Sequence, residues 1–265
     1  MSTKTHIFDL SGKVAVVVGG GSGIGEAVAI GAADLGASVI CLDIKQAEAA
    51  RVATAASGGG GRCAAGALDI RDAAAVEQRF GEIARDHGSL DIVISTPSIN
   101  VRKKILDYQD EEFARVLDLN MKGNFNVLRA AGRIMTAQGR GSIILFSSIR
   151  SLVVEPGQSA YAATKAGILQ MARGAASEFG KFGVRVNCVG PGVIETPLTA
   201  PIKNNPAWFE AYAAKSVFNR WGRPEEMVGP TLFLASDAAS YVTGTIIYAD
   251  GGWLAADGRF TPPGM

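Results

Sequence analysis

The sequence predicts a single doubly wound α/β domain, a parallel seven-stranded sheet with helices on both faces. Three observations predict it. Short β-branched runs such as KVAVVVG alternate with Ala-rich helical stretches along the chain. Those runs are apolar throughout, as in strands covered on both faces. A glycine-rich loop follows the first of them, at the strand end where such sheets carry ligands.

Residues 13–19 read as the first buried strand and 23–35 as the helix after its loop. SVICLD (38–43) is the second strand, and the alanines of QAEAARVATAAS (46–57) favour a helix. SGGGGR (57–62) is a turn leading to the weak strand CAAGALD. A helix over 72–85, the strand LDIVIS (90–95), a helical region over about 110–138 and the strand GSIILFSS (141–148) follow. A helix over 159–179 leads to VRVNCVGPG (184–192), then helices over 204–236 and a last strand in GTIIYADGG (244–252). No linker, solenoid-length repeat or low-complexity tail interrupts the pattern, so residues 1–265 are expected to form one domain.

The 265 residues are 48% hydrophobic with a net charge of +1, which gives no reason to expect nucleic acid or an anionic membrane as partner. No apolar run is long enough to cross a bilayer, and MSTKTHIFDLSGK lacks the apolar core of a signal peptide. Cys41, Cys63 and Cys188 are odd in number and scattered in apolar stretches, as reduced core residues of a cytoplasmic protein would be. His6 and His87 cannot build a His-rich metal site, and no metal is expected.

VVVGGGSGIGEAV (16–28) places Gly19, Gly23 and Gly25, with Ser22 and Ile24 among them, between a strand and a helix. Glycines let backbone approach a pyrophosphate, and a helix amino-terminus favours its charge; a ligand-free tight turn would use the same residues. Asp43, at the end of the second strand, can accept both adenosine ribose hydroxyls and would repel a 2′-phosphate, although Asp also forms turns at strand ends. With no Lys or Arg at position 22, the expected cofactor is NAD rather than NADP. In SAYAATKAGI, Tyr161 and Lys165 lie about one helical turn apart, on one face. They are either a phenol packed beside a lysine stem or a proton-transfer pair.

With this loop, YAATK and PGVIET, the chain resembles the short-chain dehydrogenase/reductases, whose domain is Rossmann-type. The resemblance runs from about Leu10 to Trp253 through GGGSGIG, LDI, LDLNMKGNF, SIILFSS, YAATK and VNCVGPGVIET, in the family's order. It implies a catalytic tetrad of Asn120, Ser148, Tyr161 and Lys165. Lys165 would also hold the nicotinamide ribose, Asn120 a water, Ile194 and Thr196 the carboxamide, and Asp69 with Ile70 the adenine. A free tyrosine titrates near about 10, and the lysine ammonium beside Tyr161 is expected to favour the phenolate. Two departures stand out: STPS occupies 95–98 where the family has NNAG, and Val18 replaces the usual threonine. Their joint change implies local rebuilding.

A substrate loop is expected over about 198–217. Arg102 and Arg150 are candidates to hold a substrate carboxylate, or else belong to a solvated basic surface. INVRKK and PLTAPIKNNPAWFEAY look most like the gluconate 5-dehydrogenase branch, which implies oxidation of a secondary hydroxyl on a sugar acid or polyol. A 3-oxoacyl-type ketoreductase and a non-catalytic NAD-binding regulator are the alternatives. The small residues of helix 159–179 suggest a buried helix, and the resemblance puts it at the contact of a homotetramer, with RFTPPGM reaching a neighbouring subunit.

Overall fold

In the computed structural model, which describes residues 7–58 and 61–256, β1 (Val14–Val18) is an interior strand of the sheet. It pairs in parallel with β2 (Ser38–Asp43) on one side and β4 (Ile92–Ser95) on the other. β3 (Arg62–Ala67) extends the first side; β5 (Gly141–Phe146), β6 (Val184–Pro191) and β7 (Ile246–Ala249) extend the second. The order β3-β2-β1-β4-β5-β6-β7 is the expected seven-stranded parallel sheet, and it reverses direction between β1 and β4. RFTPPGM lies outside the described residues.

The helices are α1 (Gly23–Asp34), α2 (Gln46–Gly58), α3 (Ala73–His87), α4 (Asp110–Leu117), α5 (Asn124–Gln138), α6 (Ser159–Phe179), α7 (Ala200–Lys203), α8 (Pro206–Ala213) and α9 (Val228–Ala235). Successive strand side chains point to opposite faces, so an all-apolar strand feeds two cores. Val14, Val16 and Val18 of β1 join Phe80 of α3, Val127 of α5 and Ile168 of α6. Ala15 and Val17 join Val28 of α1, Val52 of α2 and Leu234 of α9 on the other face. A third, smaller cluster of Ile202, Tyr212 and Trp221 underlies the substrate segment, where Phe209 stacks on Trp221 at 4.9 Å.

Two expectations change. The helical region over 110–138 is interrupted by a π-helical turn, Asp118–Gly123, between α4 and α5. Helix α6 is not buried all round within the chain: Ala163 and Gly174 on its outer face are exposed. No helix among the described residues is long and apolar enough to cross a membrane.

Candidate active site

The carboxyl ends of the central strands open onto a cleft of about 830 Å³. Its first wall is the glycine loop, which has the shape of a cradle. Gly19 has φ +75° and Gly23 φ +53°, conformations that suit glycine. A Cβ on Gly25 would stand 2.1 Å from the Gly19 carbonyl oxygen, so that close approach requires glycine. Ser22 caps α1 without a side-chain hydrogen bond, leaving the helix amino-terminal amides facing the cleft. Asp43 lies at the same end, its Oδ2 accepting from the Gly21 amide at 3.0 Å and its Oδ1 from the Lys45 amide at 2.9 Å. Ile24, Asp69 and Ile70 line the cleft nearby, with Asp69 paired to Arg71 at 2.6 Å. Ile194 and Thr196 line its far wall, the Thr196 amide donating to Thr199 Oγ1 at 3.0 Å. These residues fit a dinucleotide: a glycine cradle for its phosphates and a carboxylate near a ribose site.

Ser148 follows β5, and Tyr161 and Lys165 project from α6; all three line the same cleft. Lys165 Nζ lies 5.4 Å from the Tyr161 ring centroid and donates to the Phe146 carbonyl at 2.8 Å. Asn120, fully buried in the π-helical turn, sits behind the cleft wall. Its Oδ1 accepts from the Ile99 amide at 2.9 Å, and its Nδ2 donates to the Ile99 carbonyl and to Thr164 Oγ1.

The electrostatics differ from the sequence expectation. Burial pushes the Tyr161 phenol up; the Ser148 hydroxyl, the Arg102 and Arg150 charges and the Ser98 hydroxyl pull it back. Only 2% exposed, Lys165 is itself brought down to about 7 by burial.

Arg102 and Arg150 are also placed differently from expectation, since neither lines the cleft. Both bind Glu155, Arg102 at 2.9 Å, and Arg150 is buried. A residue with one carboxylate at this point has no pattern that marks it in VVEPGQ, and sequence reasoning passed over Glu155. Ser98 was visible only as part of STPS. The rebuilding expected around that segment is present: Thr96 shares its hydroxyl between the Val18 and Gly19 carbonyls at 3.0 and 3.1 Å. Bracing that Val18 cannot provide therefore comes from the neighbouring strand.

A family model described as enoyl-(acyl carrier protein) reductase matches residues 18–254. The 3-oxoacyl-[acyl-carrier-protein] reductase of Thermotoga maritima is 35% identical, over 92% of this chain and 98% of its own. Galactitol 2-dehydrogenase (L-tagatose-forming) of Cereibacter sphaeroides is 36% identical, over 93% of this chain and 97% of its own. Among solved structures, a gluconate 5-dehydrogenase from Burkholderia cenocepacia in complex with NADP and tartrate superposes with a TM-score of 0.91 at 30% identity, covering 94% of this chain and 98% of that one. Similarity of this extent, on a sheet and cleft of this form, makes the chain a member of the short-chain dehydrogenase/reductase family, whose enzymes act on CH–OH groups with NAD(P).

Proposed function

We propose that this chain interconverts a secondary alcohol and its ketone on a polyol or sugar acid, with Tyr161 as the acid/base and NAD as the cofactor. The observation that carries the reading is the convergence of Tyr161, Ser148 and Lys165 on one cleft whose other end is the glycine cradle. Bound NAD supplies the hydride acceptor. The Ser148 hydroxyl holds the substrate oxygen while the Tyr161 phenolate takes its proton; in reverse the phenol protonates the alkoxide. Lys165, titrating near neutrality, passes between charged and neutral forms beside the phenol and steadies the phenolate when protonated. Asn120 ties this helix to the loop after β4 through Thr164 and Ile99. The galactitol and gluconate dehydrogenases among the relatives support a polyhydroxylated substrate.

Asp43 supports NAD over NADP, since its carboxylate faces the end of the cleft where a 2′-phosphate would add like charge. The relative solved with NADP makes this preference a point to measure. The 3-oxoacyl reductase relative favours a second reading, reduction of an acyl-carrier-linked ketone. We also infer a homotetramer, because the small-residue outer face of α6 and Leu152 and Val154 beside it are uncovered in one chain. A single-chain mass in sedimentation would refute that.

The test is turnover of polyols, aldonates and a 3-oxoacyl thioester with each cofactor, repeated for Tyr161→Phe and Asp43→Ala. Tyr161→Phe is expected to abolish turnover while NADH still binds, as followed by fluorescence. Asp43→Ala is expected to lower the NAD/NADP ratio of kcat/KM. Undiminished turnover by Tyr161→Phe would sink the mechanism, and thioester turnover alone would favour the second reading.

A further inference from the structure

Glu155 is a junction of three segments that border the substrate end of the cleft. Its Oε1 accepts from Arg102 Nη1 at 2.9 Å, from Gln158 Nε2 and from the Tyr212 hydroxyl on α8; its Oε2 accepts from Arg150. Arg102 also lies over the Trp208 ring at 5.5 Å and Arg150 over Trp253 at 5.4 Å. Each guanidinium thus has a carboxylate on one side and an indole face on another, and the surplus positive charge is partly met by the rings.

The same carboxylate fixes two amides. A carboxylate only accepts, so Gln158 must present its Nε2 to Glu155 and its Oε1 elsewhere. That Oε1 accepts from Asn100 Nδ2 at 2.9 Å, which leaves Asn100 Oδ1 buried with no donor. Ser98 Oγ, two residues earlier, is likewise buried; it lies close enough to the Tyr161 phenol to pull on it, but not in a hydrogen bond of ordinary geometry. Both residues line the cleft that holds Tyr161, with these two oxygens covered by the chain itself until a side chain turns toward the cleft. Buried polar atoms left without partners are costly and point to a missing one. Here the missing partner of Asn100 must be a donor, a role a hydroxyl fills and a carboxylate does not. Ser98 Oγ, after rotation about χ1, can pair with the same or a neighbouring hydroxyl.

We propose that Glu155 selects neutral polyhydroxy substrates over sugar acids: it keeps Arg102 and Arg150 from a substrate carboxylate and, through Gln158, leaves Asn100 Oδ1 without a donor in the chain, for a substrate hydroxyl to supply when the side chain turns to the cleft. This rests on the polyol or sugar-acid reading above and narrows it. Glu155 acts as a positioning residue, while Ser98 and Asn100 meet the substrate.

The experiment compares kcat/KM for a hexitol and for the hexonate of the same configuration, using one cofactor, in the wild type, Glu155→Gln, Tyr212→Phe and Asn100→Leu. The wild type is expected to favour the hexitol. Glu155→Gln frees both guanidinium groups and should move the ratio toward the hexonate by about 10- to 100-fold, mainly through a lower hexonate KM. Asn100→Leu should lower hexitol kcat/KM by about tenfold while NADH still binds. Tyr212→Phe removes one hydrogen bond to Glu155 but no charge, and should leave the ratio where it was. A wild type that prefers the hexonate overturns the inference, as does a Glu155→Gln ratio equal to that of the wild type. A Tyr212→Phe shift as large as that of Glu155→Gln would assign the effect to packing of α8 and overturn it too. Should Glu155→Gln fail to fold, the wild-type ratio and Asn100→Leu still decide. Failure to turn over either compound with either cofactor would overturn the functional reading as well, whereas hexonate preference overturns only this inference.

Discussion

Lys165 should make the chain's stability depend on pH in a window where few other groups titrate. Burial brings its ammonium from 10.5 to about 7. At ~1.36 kcal/mol per pH unit, that displacement corresponds to roughly 5 kcal/mol of folded-state cost when the lysine is charged. The sign follows from proton counting. Below about pH 7 both folded and unfolded chains hold the proton and the whole cost is present; between there and 10.5 the unfolded chain holds more, so stability rises with pH. The thiols oppose this only higher up. Cys41 and Cys188 are pushed from 9.0 to about 12 and Cys63 to about 11, so their contribution is present below 9.0 and lost as pH rises through those values. The window from about pH 7 to 9 therefore isolates Lys165, and roughly 2–3 kcal/mol should be gained across it. Urea unfolding at fixed protein concentration, for wild type and Lys165→Met, measures this. The variant should be flat over the window and more stable than wild type at pH 6 by several kcal/mol, less ~1 kcal/mol for the lost bond to Phe146. A wild-type curve as flat as that of the variant would refute the buried, near-neutral lysine.

Gly25→Ala should weaken NADH binding more than about tenfold, because its Cβ would stand 2.1 Å from the Gly19 carbonyl and must displace the cradle; a fluorescence titration reads this directly. Asn120→Ala leaves the Ile99 amide and carbonyl without their partner and should cost about 2–4 kcal/mol in urea unfolding, so a loss under ~1 kcal/mol would contradict the bracing role. Asp91 is buried, which opposes its charge, but the Val14 amide, the Ser89 hydroxyl and Arg140 outweigh burial and hold its carboxyl below the usual range. Its stabilisation is present above the unfolded carboxyl's value and lost as pH falls through the lower folded one. Asp91→Asn should therefore show a shallower loss of stability below about pH 4, followed by circular dichroism.

The sheet was readable because strands covered on both faces are written as unbroken apolar runs, with Val14 to Val18 serving two cores at once. The edge strand β3 was the weakest, and its alternating exposure explains why. Periodicity could not reveal the π-helical turn, since the buried positions of Asp118–Gly123 are Asn120 and Gly123, which carry no apolar side chain to mark a face. In the site, Tyr161, Lys165 and Ser148 could be placed on one cleft from spacing and resemblance. The state of Lys165 could not, because burial by residues far along the chain sets it. Arg102 and Arg150 could be located but not their occupation: Glu155 gathers partners from positions 102, 150, 158 and 212, and nothing local in sequence announces such a gathering.

The π-helical turn explains how a chain that lacks the family's asparagine motif after β4 still holds that loop firmly. In the widened turn, the Asn124 amide bonds to the Met121 carbonyl, and the Asn124 side chain takes the Asn120 carbonyl at 2.9 Å. The other end of that side chain accepts from Ser95 Oγ at 2.8 Å, so the serine that begins STPS is anchored to the helix layer. Asn120 then reaches forward to both backbone groups of Ile99, closing the loop from its far end. Between these two anchors Thr96 fastens the loop to β1. Four short polar side chains, Ser95, Thr96, Asn120 and Asn124, thus carry the load, and Ser98 Oγ and Asn100 Oδ1 are left over, buried without a hydrogen-bond partner of ordinary geometry in the chain. Because Asn120 also bonds Thr164, which bonds the Tyr161 carbonyl at 2.7 Å, the loop carrying those free atoms is fixed relative to the acid/base helix. Disturbing either anchor should therefore change hydroxyl recognition and proton transfer together, whereas Asn100→Leu should touch the first alone.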